Sequence, residues 1–152
     1  MIISLVCAVA VIGVDQLTEF LIYGTPARSI IGNLLWFDSA LNTGVAFSMF
    51  EGKSYVFIIT SLLASVLFIY LIVSKKWLKT KFERISIAVL LGGTVSNIID
   101  RIIFKGVRDF IYLKFIDFAI FNVADMAIII GTILICISLL FMRKTKEESN
   151  KE

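Results

Sequence analysis

The chain has 152 residues, 59% of them hydrophobic, and its mean hydropathy of +0.94 lies outside the range of water-soluble globular domains. Its net charge of +3 is no nucleic-acid footprint, because the basic residues gather beside apolar runs instead of forming a stripe with exposed aromatics. The absence of histidine excludes Ser-His and Cys-His hydrolase arrangements and His-Glu-x-x-His metalloproteases, so any hydrolysis would have to run on carboxylates.

One proline and no low-complexity run or repeat point to a single membrane domain over 1–152. A spanning helix needs about 20 mostly apolar residues, and stretches at 2–23, 55–73, 85–103 and 121–142 qualify. The first has no positive n-region, and Ala8-Val9-Ala10 comes too early for cleavage, so it reads as a retained span. In the outer loop 24–54, the aromatic, turn-bounded run from Gly32 to Asn42 reads as short strands, a small sheet or hairpin. The loop 74–84 follows the second span. Beyond the third, the outer segment 104–120 alternates charged and aromatic residues from Arg108 to Ile120, to pair with the first loop or lie flat in the interface. Cys7 and Cys136 sit inside apolar segments with no second ligand nearby and read as small packing residues. The fold expected is an all-α membrane protein of four transmembrane helices with a small β element.

Nine of the fifteen basic residues fall in the loop after the second span and in the tail 143–152. The positive-inside rule puts both segments, and with them both termini, in the cytoplasm. Eight of the twelve acidic residues adjoin the other connections, which are therefore outside.

Ionisable groups at the edge of apolar spans are costly and call for a function or a partner. Asp15, Gln16 and Glu19 mark the outer half of the first span. Asn97, Asp100 and Arg101 share one face near the outer end of the third, Asn122 and Asp125 repeat the i, i+3 spacing in the fourth, and Asn42 lies in the loop above. Asp100 beside Arg101 reads first as a structural ion pair or helix-to-loop anchor, Asn97 and Asn122 equally as interhelical glue, and Asp15 as a partner for backbone groups. Asp109 and Asp125 are harder to explain structurally, because Asp125 has no basic residue near it in sequence. Were the two to meet, they would share one proton: the ionised partner activates water and the protonated one donates to the oxyanion.

Asp15-Gln16-Leu17-Thr18, Asn42-Thr43-Gly44-Val45-Ala46-Phe47, Asn97-Ile98-Ile99-Asp100-Arg101, Val107-Arg108-Asp109-Phe110 and Phe121-Asn122-Val123-Ala124-Asp125 stand in that order. Taken together they resemble the signature boxes of the lipoprotein signal peptidases, also called signal peptidase II, over nearly the whole chain. The resemblance implies an aspartic endopeptidase of the bacterial cytoplasmic membrane, with Asp109 and Asp125 as the catalytic dyad. Asp15, Asn42, Asn97, Asp100, Arg101 and Asn122 would form the shell that holds substrate and backbone. It implies a diacylglyceryl-modified prolipoprotein as substrate, cut just before the lipidated cysteine. It also implies an extracytoplasmic β-cradle, no metal or organic cofactor, membrane lipid as surroundings and a monomer.

Three positions depart from that pattern. Glu19 stands where a lysine is usual, Ser96 where a glycine is usual, and Arg108 where an aliphatic residue is common. An Arg108 paired with Asp109 would favour that carboxylate's charged form. A small ion- or proton-coupled transporter is the leading alternative, but a relay needs polar groups through the whole bilayer, and the inner halves of the second and fourth spans have almost none. A scaffold protein would leave the clustered Asp and Asn residues without a purpose.

Overall fold

A computed structural model describes residues 1–44, 54–74 and 76–142. Val45 to Phe47 of the second motif, the rest of that loop to residue 53, Lys75 and the tail 143–152 lie outside the described residues. The elements run α1 (Ile2–Ile22), β1 (Arg28–Ile31), β2 (Leu35–Asn42), α2 (Ser54–Ser74), α3 (Lys81–Phe104), β3 (Val107–Leu113) and α4 (Val123–Ile137), the last continued by a π turn over Ser138–Met142.

Four helices are long and apolar enough to cross a membrane among the described residues. Two of their starts differ from the hydropathy reading by more than one residue, and both for the same reason. Thr80 accepts a hydrogen bond from the Glu83 amide (3.0 Å) while Glu83 accepts from the Thr80 amide (2.9 Å), so α3 starts at Lys81, four residues before its apolar run. Asn122 and Asp125 close an equivalent box, so α4 starts at Val123. Such boxes satisfy orphan amide groups of a helix's first turn, and polar capping residues carry no weight in a hydropathy window.

Helix α3 is the central post, packed against α1, α2 and α4. Over half of its apolar window is buried (56%), against 17% for α1 and 11% for α2, whose large apolar side chains face outward as a lipid-solvated helix requires. Glycines set the close approaches. A Cβ on Gly92 would stand 2.7 Å from the Ala8 carbonyl of α1, and one on Gly93 would stand 2.4 Å from the Ala124 carbonyl of α4. Small residues at such crossings let backbones touch where no hydrophobic effect drives helices together. The apolar core of Ala8, Ile72, Leu78, Ile87, Ala88 and Ile135 fills one end of the bundle, and the buried Asp15, Glu19, Asn97, Asp100, Arg108, Asp109 and Asn122 gather at the other.

At that second end lies a three-stranded antiparallel sheet in the order β1-β2-β3. The outer segment thus pairs with the first loop: Trp36 faces Tyr112, Phe37 faces Ile111, and after a register shift Ala40 faces Asp109 and Asn42 faces Val107. Lys105 ends α3 in the left-handed region (φ 63°), which turns the chain directly into β3. Phe121 bridges back to Ile111 through two main-chain hydrogen bonds of 2.8 and 3.0 Å, fixing the entry to α4 beside the sheet.

Candidate active site

Asp109 sits mid-strand on β3 and is almost wholly buried. Its Oδ2 accepts from Asn42 Nδ2 at 3.0 Å, and Asn42, the last residue of β2, is itself steadied by the Gly44 amide donating to its Oδ1 at 3.1 Å. The other oxygen, Oδ1, is buried with no hydrogen-bond partner among the described residues. Burial, and then the charge of Asp125, push the Asp109 carboxyl up to about 8, although the Asn42 bond and the charge of Arg101 pull the other way.

Asp125 lies in the first turn of α4. Its Oδ1 accepts from Asn97 Nδ2 at 2.9 Å, and its Oδ2 from the Asn122 amide at 3.4 Å. Its own amide donates to Asn122 Oδ1 at 2.9 Å. The capping box therefore gives Asp125 a structural role that its position in an apolar run had concealed. Asp15, fully buried on α1, accepts from the Ala124 amide at 2.7 Å and so ties α1 to the first turn of α4.

Asp100 pairs with Arg108 and not with its neighbour Arg101. Its Oδ2 accepts from the Arg108 amide and from Nε, both at 2.9 Å, and its Oδ1 lies 2.7 Å from Nη2. This contact holds the Arg108 guanidinium above its ordinary range. Arg101 instead donates to the Asn97 carbonyl at 3.2 Å and lies over the Phe57 ring at 5.5 Å, with its charge felt at Asp109. Arg108 likewise does not pair with Asp109: alternate strand residues point to opposite faces, and Arg108 turns toward α1 and α3, 2.9 Å from Glu19 and 3.0 Å from Gln16 Oε1.

The three departures thus meet in one place, since Gln16 Nε2 donates to Ser96 Oγ at 3.1 Å, to Glu19 at 2.9 Å and to Asp100 at 2.9 Å. The sequence motifs alone place none of Gln16, Glu19, Ser96 and Arg108 in the site. The signal available in the sequence was that an added acid at Glu19 and an added base at Arg108 offset each other.

Asn42, Arg101 and Asp125 line one side of a cleft of about 570 Å³ whose other walls, among them Phe118, Met126 and Ile129, are apolar. That size suits one medium-sized ligand or peptide segment. Asp109, a carboxyl that holds its proton near neutrality, lies behind Asn42, while Asp125, which accepts at both oxygens, lines the cleft itself, and such a pair can move a proton out of bulk water.

Bundle, sheet and buried polar end define a polytopic membrane enzyme. Comparisons with known proteins say which kind. A family profile for signal peptidase (SPase) II matches residues 7–141. The chain is 38% identical over 115 residues to a lipoprotein signal peptidase of Lactobacillus johnsonii and 36% identical over 115 residues to one of Lactobacillus gasseri, each alignment covering 76% of this chain and 74% of the relative. Two solved structures, both described as a bacterial membrane enzyme, are similar at 33% identity. One has a TM-score of 0.83 over 98% of this chain and 91% of the other; the second has 0.81 over 91% and 92%. The chain belongs to the signal peptidase II family, and it is a multi-pass membrane peptidase.

Proposed function

We propose that this peptidase is an aspartic enzyme with Asp109 and Asp125 as its dyad, removing signal peptides from diacylglyceryl-modified prolipoproteins just before the lipidated cysteine. Signal-peptide removal from prolipoproteins is the activity its family assignment supports, and that assignment leaves a transporter without support. The observation that carries the dyad is Asp109: buried, raised to about 8 partly by the charge of Asp125, it keeps its proton at neutral pH. One shared proton is the state an aspartic dyad needs.

In the reaction, Asp125 is the ionised partner and takes a proton from water as the water attacks the amide carbon. Asp109 donates to the developing oxyanion; as the diol collapses, the proton gained by Asp125 goes to the leaving amine and a hydroxyl proton of the diol returns to Asp109. Asn42 aims Asp109 and Asn97 aims Asp125, each through a side-chain amide. Arg101 supplies positive charge beside the site, while Asp15, Asp100 and Asn122 hold the backbone that carries the two acids. The substrate's acyl chains stay in lipid and its signal helix packs along the apolar cleft wall, so the scissile bond arrives oriented, which lowers the entropic barrier to attack. The enzyme works as a single-domain monomer in the bacterial cytoplasmic membrane, termini inside and dyad at the outer face, as the distribution of basic residues favours.

The test is a gel-shift cleavage assay in detergent on a diacylglyceryl-modified prolipoprotein beside its unlipidated form. Asp109→Asn and Asp125→Asn are each expected to lose about 10³-fold or more in rate, with folding retained. Unimpaired cleavage by either variant removes that residue from the dyad, and equal cleavage of both substrates removes the lipid requirement.

A further inference from the structure

We propose that Glu19 is a positioning residue, a side-chain link from α1 that helps to hold in register the strand carrying Asp109 and the helix carrying Asp125; the inference rests on the dyad reading above. Glu19 projects from α1, bears no part of the dyad and is completely buried. Its two oxygens face different elements. Oε2 accepts from Arg108 Nη2 at 2.9 Å and from Gln16 Nε2 at 2.9 Å, and Oε1 accepts from Asn122 Nδ2 at 2.9 Å.

From Asn122 the chain of bonds continues. The same Nδ2 donates to Asn97 Oδ1 at 3.1 Å, and Asn97 Nδ2 donates to Asp125 Oδ1 at 2.9 Å. A continuous path therefore runs from Arg108, the residue before Asp109, through Glu19, Asn122 and Asn97 to Asp125. It crosses from β3 to α1, α4 and α3 and returns to α4. Glu19 is its only member contributed by α1.

Only a carboxylate suits this position. It can accept on both sides at once, whereas a carboxamide offers one acceptor oxygen and would turn its NH₂ toward a second donor, and an ammonium group accepts nothing. Loss of Glu19 would not strip its partners bare. Arg108 keeps Asp100 on its amide, Nε and Nη2, and Asn122 keeps Asn97. Sheet and α4 stay joined through Asp100 and Asn97 of α3 and through the Ile111–Phe121 main-chain bonds, and what disappears is the side-chain bridge from α1 that completes their register. That separates a positioning role from a folding role: small misplacements of reacting groups cost rate far more than they cost binding.

The experiment uses the full-length enzyme in detergent, the diacylglyceryl-modified prolipoprotein, and the variants Glu19→Gln and Glu19→Ala, with thermal unfolding recorded for each and Asp125→Asn run alongside. The expected result is a kcat lowered about 10- to 100-fold in Glu19→Ala, less in Glu19→Gln, which keeps one acceptor, and a KM within about twofold of the starting enzyme in both. Glu19→Gln has the shape of the original side chain and carries the test if Glu19→Ala does not fold. A kcat within twofold in folded Glu19→Gln and Glu19→Ala overturns the proposal, and so does failure of both to fold, which would make Glu19 a folding element. Full activity in Asp125→Asn would overturn the dyad instead, whatever the Glu19 variants do.

Discussion

Replacing Gly93 by alanine tests whether the contact between α3 and α4 sets the geometry of the site. The added Cβ would lie 2.4 Å from the Ala124 carbonyl oxygen, 3.0 Å from Ile128 Cγ1 and 3.2 Å from the Ala124 carbonyl carbon. The nearest atom is backbone and cannot rotate away, so α4 must retreat by about 1 Å to restore ordinary contact. Ala124 immediately precedes Asp125, and its amide is the donor to Asp15, so the retreat acts where Asp125 is anchored. Overpacking of this kind costs about 1–3 kcal/mol of stability, and a displacement of about 1 Å at a reacting group costs about 100-fold in rate. Cleavage kinetics on the lipidated substrate and thermal unfolding in the same detergent read both effects. Gly13→Ala is the control, since a Cβ there meets nothing within 4 Å and removing a glycine from α1 costs the helix nothing. A Gly93→Ala enzyme that cleaves within about threefold of the Gly13→Ala enzyme would refute the link between this crossing and the dyad.

The rate should fall on the alkaline side. Asp109 holds its proton below about 8 and loses it above, so kcat/KM should decline as pH rises through that value, and a profile flat to pH 10 would exclude Asp109 as the acid. Asn42→Ala removes a bond that favours the charged form of Asp109, so the alkaline limb should move to higher pH; movement to lower pH would reverse the role given to Asn42. Thr80→Ala, at the end of α3 far from the dyad, should cost about 0.5–2 kcal/mol of stability with kcat unchanged, as thermal unfolding and cleavage measured together would record.

The four helices were legible in the sequence because a bilayer demands runs of apolar residues, and their starts at Lys81 and Val123 were not, because a capping box is polar. Pairing of the Arg108 region with the Gly32 to Asn42 run was one of two outcomes the aromatic alternation allowed, and the register followed from no local rule. Asp15, Asn42, Asn97, Asp100, Arg101 and Asn122 do gather around Asp109 and Asp125. The wiring among them was beyond the sequence. Asp100 and Arg101 are adjacent, yet Asp100 binds Arg108 eight residues on, because a helix points adjacent side chains about 100° apart. The pairing of Glu19 with Arg108 joins positions 89 apart, and only the packing of α1 against β3 brings them together.

The main-chain clip between Ile111 and Phe121 has a bearing on how such an enzyme changes over evolutionary time. On one side of it stand the carboxyls, Asp109 two residues before Ile111 and Asp125 four after Phe121; on the other, the strap between them exposes Phe115, Ile116 and Phe118 and lends Phe118, Ala119 and Ile120 to the cleft wall. Since both ends of the strap are tied to the same point, substitutions within it are expected to change the cleft wall more than the placement of the two carboxyls. On the proposed dyad, cleft wall and chemistry occupy neighbouring stretches of one chain, divided by a pair of backbone hydrogen bonds, so the first is open to change with the second held in place.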